Sequence, residues 1–152
     1  MNILKIQQDF LKGVCKEKGN THKEYRIGKS RACVNVGYTD SHYMVLIPYE
    51  DNHIAFTNIP EFNPGSLIPK DLNGYQAALP KENLKVGKTN LTRLEVPGYY
   101  PTIYEHVDSK YLKYFDKDAI FYIKDRSSLI IVREDDAIVG IICPYIIKKV
   151  SE

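Results

Sequence analysis

The sequence predicts an α+β fold made of two halves, each a helix followed by an antiparallel three-stranded meander, related by an internal pseudo-twofold repeat. The main observation is that residues 121–145, FYIKDRSSLIIVREDDAIVGIICPY, align without a gap on residues 25–49, YRIGKSRACVNVGYTDSHYMVLIPY. Five aligned positions are identical, whereas roughly one or two identities are expected by chance. A helical pattern also precedes both segments. An internal repeat of this kind predicts one fold unit present twice.

The first predicted element is an amphipathic helix over residues 2–18. Lysines and Asp9 form its polar face, and Gly19 with Asn20 provides a stop. The apolar stripe at helical spacing consists of Ile3, Ile6, Phe10 and Val14, widened by Leu4, Leu11 and Cys15. This pattern predicts that one face of the helix packs on the rest of the fold.

The strands of the first half are predicted at residues 24–28, 32–38 and 43–47. Polar turns at residues 29–31 and 39–42 separate them, which is typical of an antiparallel meander. A further strand is predicted at residues 53–58.

The remainder of the chain is predicted as a connecting segment, about residues 59–105, followed by the second half. Prolines interrupt the segment, but a short helix at 70–79 and a strand at 90–96 are predicted within it. A second helix is predicted at 107–115, where SKYLKYF aligns with QDFLKGV of the first helix. Residues 1–152 therefore read as one domain. Its halves span about residues 1–58 and 106–147.

Composition narrows the class of protein. At 152 residues, with 43% apolar and 26% charged residues, the chain has the make-up of one globular domain. Its net charge of +2 gives no overall attraction to nucleic acid, so a basic surface must be local. No apolar run reaches the roughly 20 residues of a membrane span, so no membrane partner is expected. No signal-like apolar segment opens the chain, so a cytoplasmic protein is expected. Three widely spaced cysteines without a CxxC motif indicate reduced, buried thiols rather than disulfides or a zinc site.

No catalytic, metal or cofactor site is predicted from the motifs. GKS at residues 28–30 and GKT at residues 87–89 lack the earlier glycine of a phosphate-binding loop. The four histidines show no metal-ligand spacing. Asp135 and Asp136 are interpreted as a turn between two strands and not as a catalytic carboxylate pair. A cysteine nucleophile with a distant histidine stays open as an alternative.

Several segments of the chain resemble those of one known family. YTDSHYMV at residues 38–45 is similar to an ATDGHRLA turn and strand, and SLIPKDLNGYQAAL at residues 66–79 to an IVP or IPK run leading into a helix. The segments TRLEVPGYYP at 92–101, Tyr111-Leu112, 127–131 and 142–146 resemble SRLIDGRFP, YLL, SPLLI and VMPMR. The family with these segments is that of the bacterial DNA sliding clamps, the beta subunits of DNA polymerase III. The resemblance implies a DNA-clamp-like domain, which also has two helix-plus-strands halves.

Lysines on the two predicted helices are the residues that the resemblance assigns to DNA. In clamps, the helices line a central hole and contact DNA phosphates with little sequence readout. Double-stranded DNA is therefore the implied partner. The residues that would contact it are Lys5, Lys12, Lys16, Lys110 and Lys113. The alternative is that these lysines only solvate the outer faces of two amphipathic helices.

The apolar C-terminal strand is the second feature to which the resemblance assigns a role. In clamps, a hydrophobic pocket between the halves of a domain receives the peptide tails of polymerases, and the VMPMR strand contributes to it. The matching positions here are Ile141, Cys143, Pro144, Tyr145 and Ile146. A polymerase-tail-like peptide is therefore the implied partner. The alternative is a buried core strand with its proline at the end.

The predicted function is a non-enzymatic, clamp-like binding module in DNA replication or maintenance. Because a clamp ring needs six such domains and this chain supplies one, the resemblance also implies a homo-oligomer. Two alternatives stay open. One is a protein-interaction adaptor or clamp mimic, for example on a mobile element, that does not bind DNA. The other is an uncharacterised small enzyme.

Overall fold

Nine strands of the described chain form one antiparallel sheet. The computed structural model describes residues 1–16, 24–29, 35–55, 59–125 and 128–147. Its helices are α1 (Ile3–Lys16) and α2 (Ser109–Leu112). Its strands are β1 (Arg26–Lys29), β2 (Asn35–Thr39), β3 (Tyr43–Pro48), β4 (Gln76–Val86), β5 (Thr89–Val96), β6 (Ile103–Asp108), β7 (Ile120–Ile123), β8 (Ile130–Glu134) and β9 (Ala137–Ile142). Neither of these helices has the length and apolar character that a membrane span requires.

The strands follow the order β1-β2-β3-β9-β8-β7-β4-β5-β6, and each neighbouring pair is antiparallel. The meander β1–β3 joins the meander β7–β9 through β3 and β9, where Tyr43 pairs with Ile142 and Val45 with Gly140. Asp135 and Asp136 form the turn between β8 and β9, as predicted, and Asp135 adopts a positive φ of 52°.

The predicted fold of two equivalent helix-plus-meander halves, and with it the clamp-like fold class, is wrong. One nine-stranded sheet dominates the described chain, because β4 pairs with β7 and so attaches β4, β5 and β6 to the same sheet. The second helix has 4 residues, against 14 in α1. The helices of the two halves therefore differ in length. In addition, β4, β5 and β6 lie in the chain between the two meanders.

A helix is predicted at residues 107–115, but α2 is shorter because residues 107 and 108 belong to β6. β6 continues to Asp108, which pairs with Leu91 of β5. The Asp108 carboxylate then accepts a hydrogen bond of 3.1 Å from the Lys110 backbone N–H, which starts α2. Pairing with a neighbouring strand thus takes precedence over the local helical pattern.

The helix predicted at residues 70–79 is also wrong. Gly74 adopts a φ of +82° in a turn, and β4 begins at Gln76. Gly87 and Lys88 of the GKT motif form the two-residue turn of the β4–β5 hairpin, and Gly87 has a φ of +61°. The predicted connecting segment therefore contains β4, β5 and the start of β6.

Other predicted elements agree with the structure or lie outside it. The first helix is α1, the strands at 24–28, 32–38 and 43–47 correspond to β1, β2 and β3, and the strand at 90–96 is β5. Residues 53–55 form no regular structure. Of the positions with a predicted structure or motif, residues 17–20, 30–34, 56–58 and 127 lie outside the described residues.

The larger apolar core lies between the sheet and the two helices. Ile6 and Phe10 of α1 and Tyr111 of α2 belong to one buried cluster with residues of β1, β2 and β3. The Phe10 ring centroid lies 5.0 Å from that of Tyr38 and 5.6 Å from that of Tyr25. Leu4, Leu11 and Cys15, which are predicted to widen the buried stripe, are exposed.

Residues 59–75, here called the strap, cross the opposite face of the sheet. A smaller cluster of Met44, Leu46, Ile131 and Ile141 lies on that face, and Phe62, Ile68, Leu72 and Tyr75 of the strap pack against it. The Ile27 N–H donates to the Pro60 carbonyl at 3.0 Å, and the Phe62 N–H donates to the Ile27 carbonyl at 3.3 Å. The strap therefore adds backbone pairing to β1 as well as apolar cover.

Candidate binding sites

An apolar groove of about 450 Å³ lies between the strap and the ends of β2, β3 and β9. Buried Met44 and Ile141 form its floor, and partly buried Phe62 lies beside them. Its rim includes Leu67, 43% exposed, and Leu129, 38% exposed. The other lining residues are Glu24, Arg26, Thr39, Ser41, Tyr43, Asn63, Ser66 and Cys143. Apolar side chains at a solvent-accessible rim make this a surface that a partner can fill.

The charged side chains of the groove are an ion pair. Arg26 Nη2 lies 2.7 Å from Glu24 Oε2, and both side chains are exposed. An exposed pair of this kind contributes little to stability and can be rearranged by a ligand. Selectivity in the groove therefore comes first from the fit of apolar side chains.

The five residues predicted to bind a peptide do not all line one cavity. Ile141 and Cys143 line the groove. Cys143 also lines a separate pocket of about 230 Å³ with Pro144 and Tyr145. Ile146 is 65% exposed and lines neither.

The division arises because the chain leaves the sheet after β9. The Cys143 N–H donates to the His42 carbonyl at 2.9 Å, and the Tyr145 N–H donates to the His106 carbonyl at 2.7 Å. These bonds carry residues 143–145 from β3 towards β6 and away from the groove.

Sequence reasoning missed most of the groove. Met44 could have been found, because side chains alternate along a strand and Tyr43 belongs to the other face. Phe62 and Leu67 lie in a proline-rich segment with no periodicity, so nothing local indicates where they pack. Their place depends on how the strap crosses the sheet.

A second cavity, here called the lysine cleft, has a volume of about 280 Å³ and lies between α1 and α2. Its basic residues are Lys12, Lys16 and Lys110, three of the five lysines predicted to contact DNA. Lys5 is outside the cleft and pairs with Asp9 at 3.1 Å, and exposed Lys113 follows α2 without lining the cleft. The fold thus gathers cations from two helices that are far apart in sequence. The remaining lining residues are Asp9, Gly13, Tyr25, Asp40, Tyr43, Tyr111 and Tyr114.

Hydrogen bonds hold the two walls of the lysine cleft together. The Asn2 N–H donates to the Tyr114 carbonyl at 2.8 Å, and the Tyr114 hydroxyl donates to Asp9 Oδ2 at 2.9 Å. Burial, followed by the hydrogen bond to Asp9, raises the pKa of Tyr114. Burial, followed by the Asp40 carboxylate, raises the pKa of Tyr111. Both hydroxyls therefore remain protonated donors at neutral pH.

Asp40 lies at the base of the lysine cleft and is only 3% exposed. Its Oδ1 accepts hydrogen bonds from the backbone N–H groups of His42 at 2.8 Å and Tyr43 at 3.1 Å. The Tyr111 hydroxyl donates to Oδ2 at 3.5 Å. The carboxylate thus holds the β2–β3 turn and connects it to α2.

The described residues contain no group of three or more His, Cys, Asp or Glu side chains that could hold a metal ion. Burial, followed by the Asp40 carboxylate, raises the pKa of the Cys143 thiol. This shift favours the thiol over the nucleophilic thiolate near neutral pH.

Comparison with protein-family models, with curated proteins and with solved structures finds no match.

Proposed function

We propose that this protein is a non-enzymatic binding module whose apolar groove takes a short apolar peptide segment of a partner protein. The observation that carries the proposal is the groove itself, with its buried floor of Met44 and Ile141 and its exposed rim of Leu67 and Leu129. Apolar side chains that enter such a groove lose contact with water, and this burial supplies the binding free energy. The local likeness to sliding clamps is the reason for placing the partner among proteins of DNA replication or maintenance, in the cytoplasm.

Substitution at the rim tests the peptide proposal. Leu129→Glu should weaken binding of a fluorescent polymerase-tail-like peptide by more than tenfold, because bringing a carboxylate against apolar surface costs more than about 1.4 kcal/mol. Fluorescence anisotropy measures the affinity. Leu79→Glu is the matched control, since Leu79 is 51% exposed and does not line the groove. Equal affinity of both variants and the parent protein would contradict the proposal.

A second ligand, the phosphate backbone of duplex DNA, is favoured by the lysine cleft. Lys12, Lys16 and Lys110 converge from two helices, and a local cluster can attract phosphate even though the net charge is only +2. Asp9 and Asp40 in the same cleft reduce the attraction. We therefore expect weak, sequence-independent binding that falls steeply with salt concentration.

Neutralising the lysines of the cleft tests the DNA proposal. Lys12→Gln and Lys110→Gln should each lower the slope of log affinity against log salt concentration by about 0.9. Lys113→Gln is the control, because Lys113 is exposed but lies outside the cleft. The thermal midpoint should hardly change in any of the three, since exposed charges contribute little to stability. If duplex DNA does not bind at low salt, the adaptor without DNA binding is the better description.

Self-association is tested together with the DNA proposal, because a homo-oligomer would bring several lysine clefts to one duplex. Size-exclusion chromatography with light scattering determines the number of copies. If the protein is a monomer both with and without duplex DNA, one copy of the chain contacts the duplex from one side.

A further inference from the structure

We propose that the β2–β3 turn, residues 39–43, couples the two cavities, so that an anion in the lysine cleft weakens peptide binding in the groove. The inference rests on the proposed function, because it assumes that both cavities take ligands. The turn separates the cavities: Thr39 and Ser41 line the groove, Asp40 lines the cleft, and Tyr43 lines both. A displacement of this turn therefore changes both cavities.

On the groove side, the turn is fixed by a small number of bonds. The Thr39 hydroxyl donates to the Tyr43 carbonyl at 2.5 Å, and the Ser41 N–H donates to the Thr39 hydroxyl oxygen at 3.1 Å. Ser41 has a positive φ of 78°, a conformation that a non-glycine residue keeps only when its surroundings hold it. The Cys143 thiol reaches the Ser41 carbonyl at 3.6 Å, which connects the turn to the end of β9.

On the cleft side, Asp40 is the residue that holds the turn. Its Oδ1 accepts the two backbone N–H groups of His42 and Tyr43, and its Oδ2 accepts the Tyr111 hydroxyl. An anion between Lys12, Lys16 and Lys110 would lie in the same small cavity as this carboxylate.

The sign of the coupling follows from two effects. The anion repels the Asp40 carboxylate, and little water screens this repulsion because Asp40 is buried. The anion is also a competing acceptor for the Tyr111 hydroxyl, whose bond to Asp40 is long at 3.5 Å. Both effects weaken the hold of Asp40 on the turn, so the wall formed by Thr39, Ser41 and Tyr43 fits a peptide less well. Linkage then requires that the peptide weaken anion binding by the same factor.

Inorganic pyrophosphate is the probe, because it is small enough for the cleft and carries no bases. We expect saturating pyrophosphate to raise the Kd of the peptide about fivefold in the parent protein, at ionic strength matched with chloride. Asp40→Asn keeps an oxygen that accepts the turn N–H groups but removes the charge, so the effect should disappear. Asp9→Asn is the matched control: Asp9 lines the same cleft but makes no bond to the turn, so the effect should persist. A peptide Kd that is unchanged by bound pyrophosphate overturns the inference.

Hydrogen exchange gives a second measurement that needs no peptide. Pyrophosphate should accelerate exchange of the His42 and Tyr43 amides in the parent protein and in Asp9→Asn, but not in Asp40→Asn. Pyrophosphate that fails to bind, or binds without changing this exchange, overturns the coupling. A peptide that fails to bind while the exchange responds overturns the groove proposal and leaves the movement of the turn established.

Discussion

Cys143 offers a chemical probe of the groove at the scale of one residue. Burial and the Asp40 carboxylate raise the pKa of its thiol, so at pH 7 to 8 less of it is the reactive thiolate. We expect iodoacetamide to alkylate Cys143 more slowly than Cys15, which is exposed. The rate at Cys143 should increase with pH until the raised pKa is passed. Mass spectrometry of digested protein measures both rates in one sample.

The same reaction also reports occupancy. Because Cys143 lines the groove, a bound peptide should slow its alkylation further and leave the rate at Cys15 unchanged. Leu129→Glu should remove this protection. A peptide that protects both cysteines equally would indicate nonspecific association.

The strap shows how an element without regular structure can decide the shape of a site. It approaches β1 and β2 closely because Gly28 and Gly37 have no side chains. A Cβ at Gly28 would lie 1.9 Å from the Phe62 carbonyl oxygen, and a Cβ at Gly37 would lie 2.8 Å from Pro64 Cβ. Phe62 and Leu67 of the strap line the groove, so this close approach sets the groove's width.

Gly28→Ala should therefore displace the strap from β1. The clash involves backbone, which cannot rotate away, so the Ile27–Phe62 hydrogen bond should break. We expect faster proteolysis within residues 59–75 and weaker peptide binding. Gly65→Ala is the control in the same segment, because its Cβ would meet only the Asn63 side chain, at 3.3 Å. Unchanged proteolysis of Gly28→Ala would mean that the strap does not depend on this contact.

Sequence reasoning succeeded where elements are set by local pattern and failed where distant pairing decides. The spacing of Ile6 and Phe10 places α1, and the repeat around residues 43–47 places the meander strands. β4 was missed because most of its side chains are exposed and Pro80 interrupts it, so no alternation is visible. Its hairpin turn at Gly87-Lys88 was the available signal.

The candidate sites divide in the same way. Helical periodicity predicts that Lys12 and Lys16 share one face of α1, and both line the cleft. Lys110, which the resemblance to sliding clamps also assigns to DNA, lines it from α2. Asp40 was interpreted only as a turn residue, yet the structure also places it in the cleft beside Tyr111. The contact between Asp40 and Tyr111 joins residues that are about 70 positions apart in the chain, so no local sequence pattern predicts it.

At the scale of the whole molecule, the two faces of the sheet have different cover. The helices pack on one face and form the lysine cleft between them, whereas the strap crosses the other face and forms the groove. The β2–β3 turn lies at the end of the sheet where both cavities can be reached. A change at this turn can therefore reach both faces of the sheet.

Both outermost strands of the sheet receive hydrogen bonds from chain that is not itself a strand. The strap reaches Ile27 on β1, and the Tyr145 N–H reaches the His106 carbonyl on β6. An edge that lacks such cover is a template on which further copies can add by strand pairing. We therefore expect the short stretch after β9 to hinder the addition of a further strand at β6.

Replacing the donor at the β6 edge would show this protection directly. Tyr145→Pro removes the N–H that reaches His106, whereas Tyr145→Ala removes the side chain and keeps the N–H. On prolonged warming we expect thioflavin T fluorescence to rise earlier in the proline variant than in the alanine variant. Equal lag times would assign the protection to the Tyr145 side chain or to another part of the edge. An earlier rise in the proline variant alone would mean that the hydrogen bond from the Tyr145 N–H to His106 protects β6 from pairing with other copies of the chain.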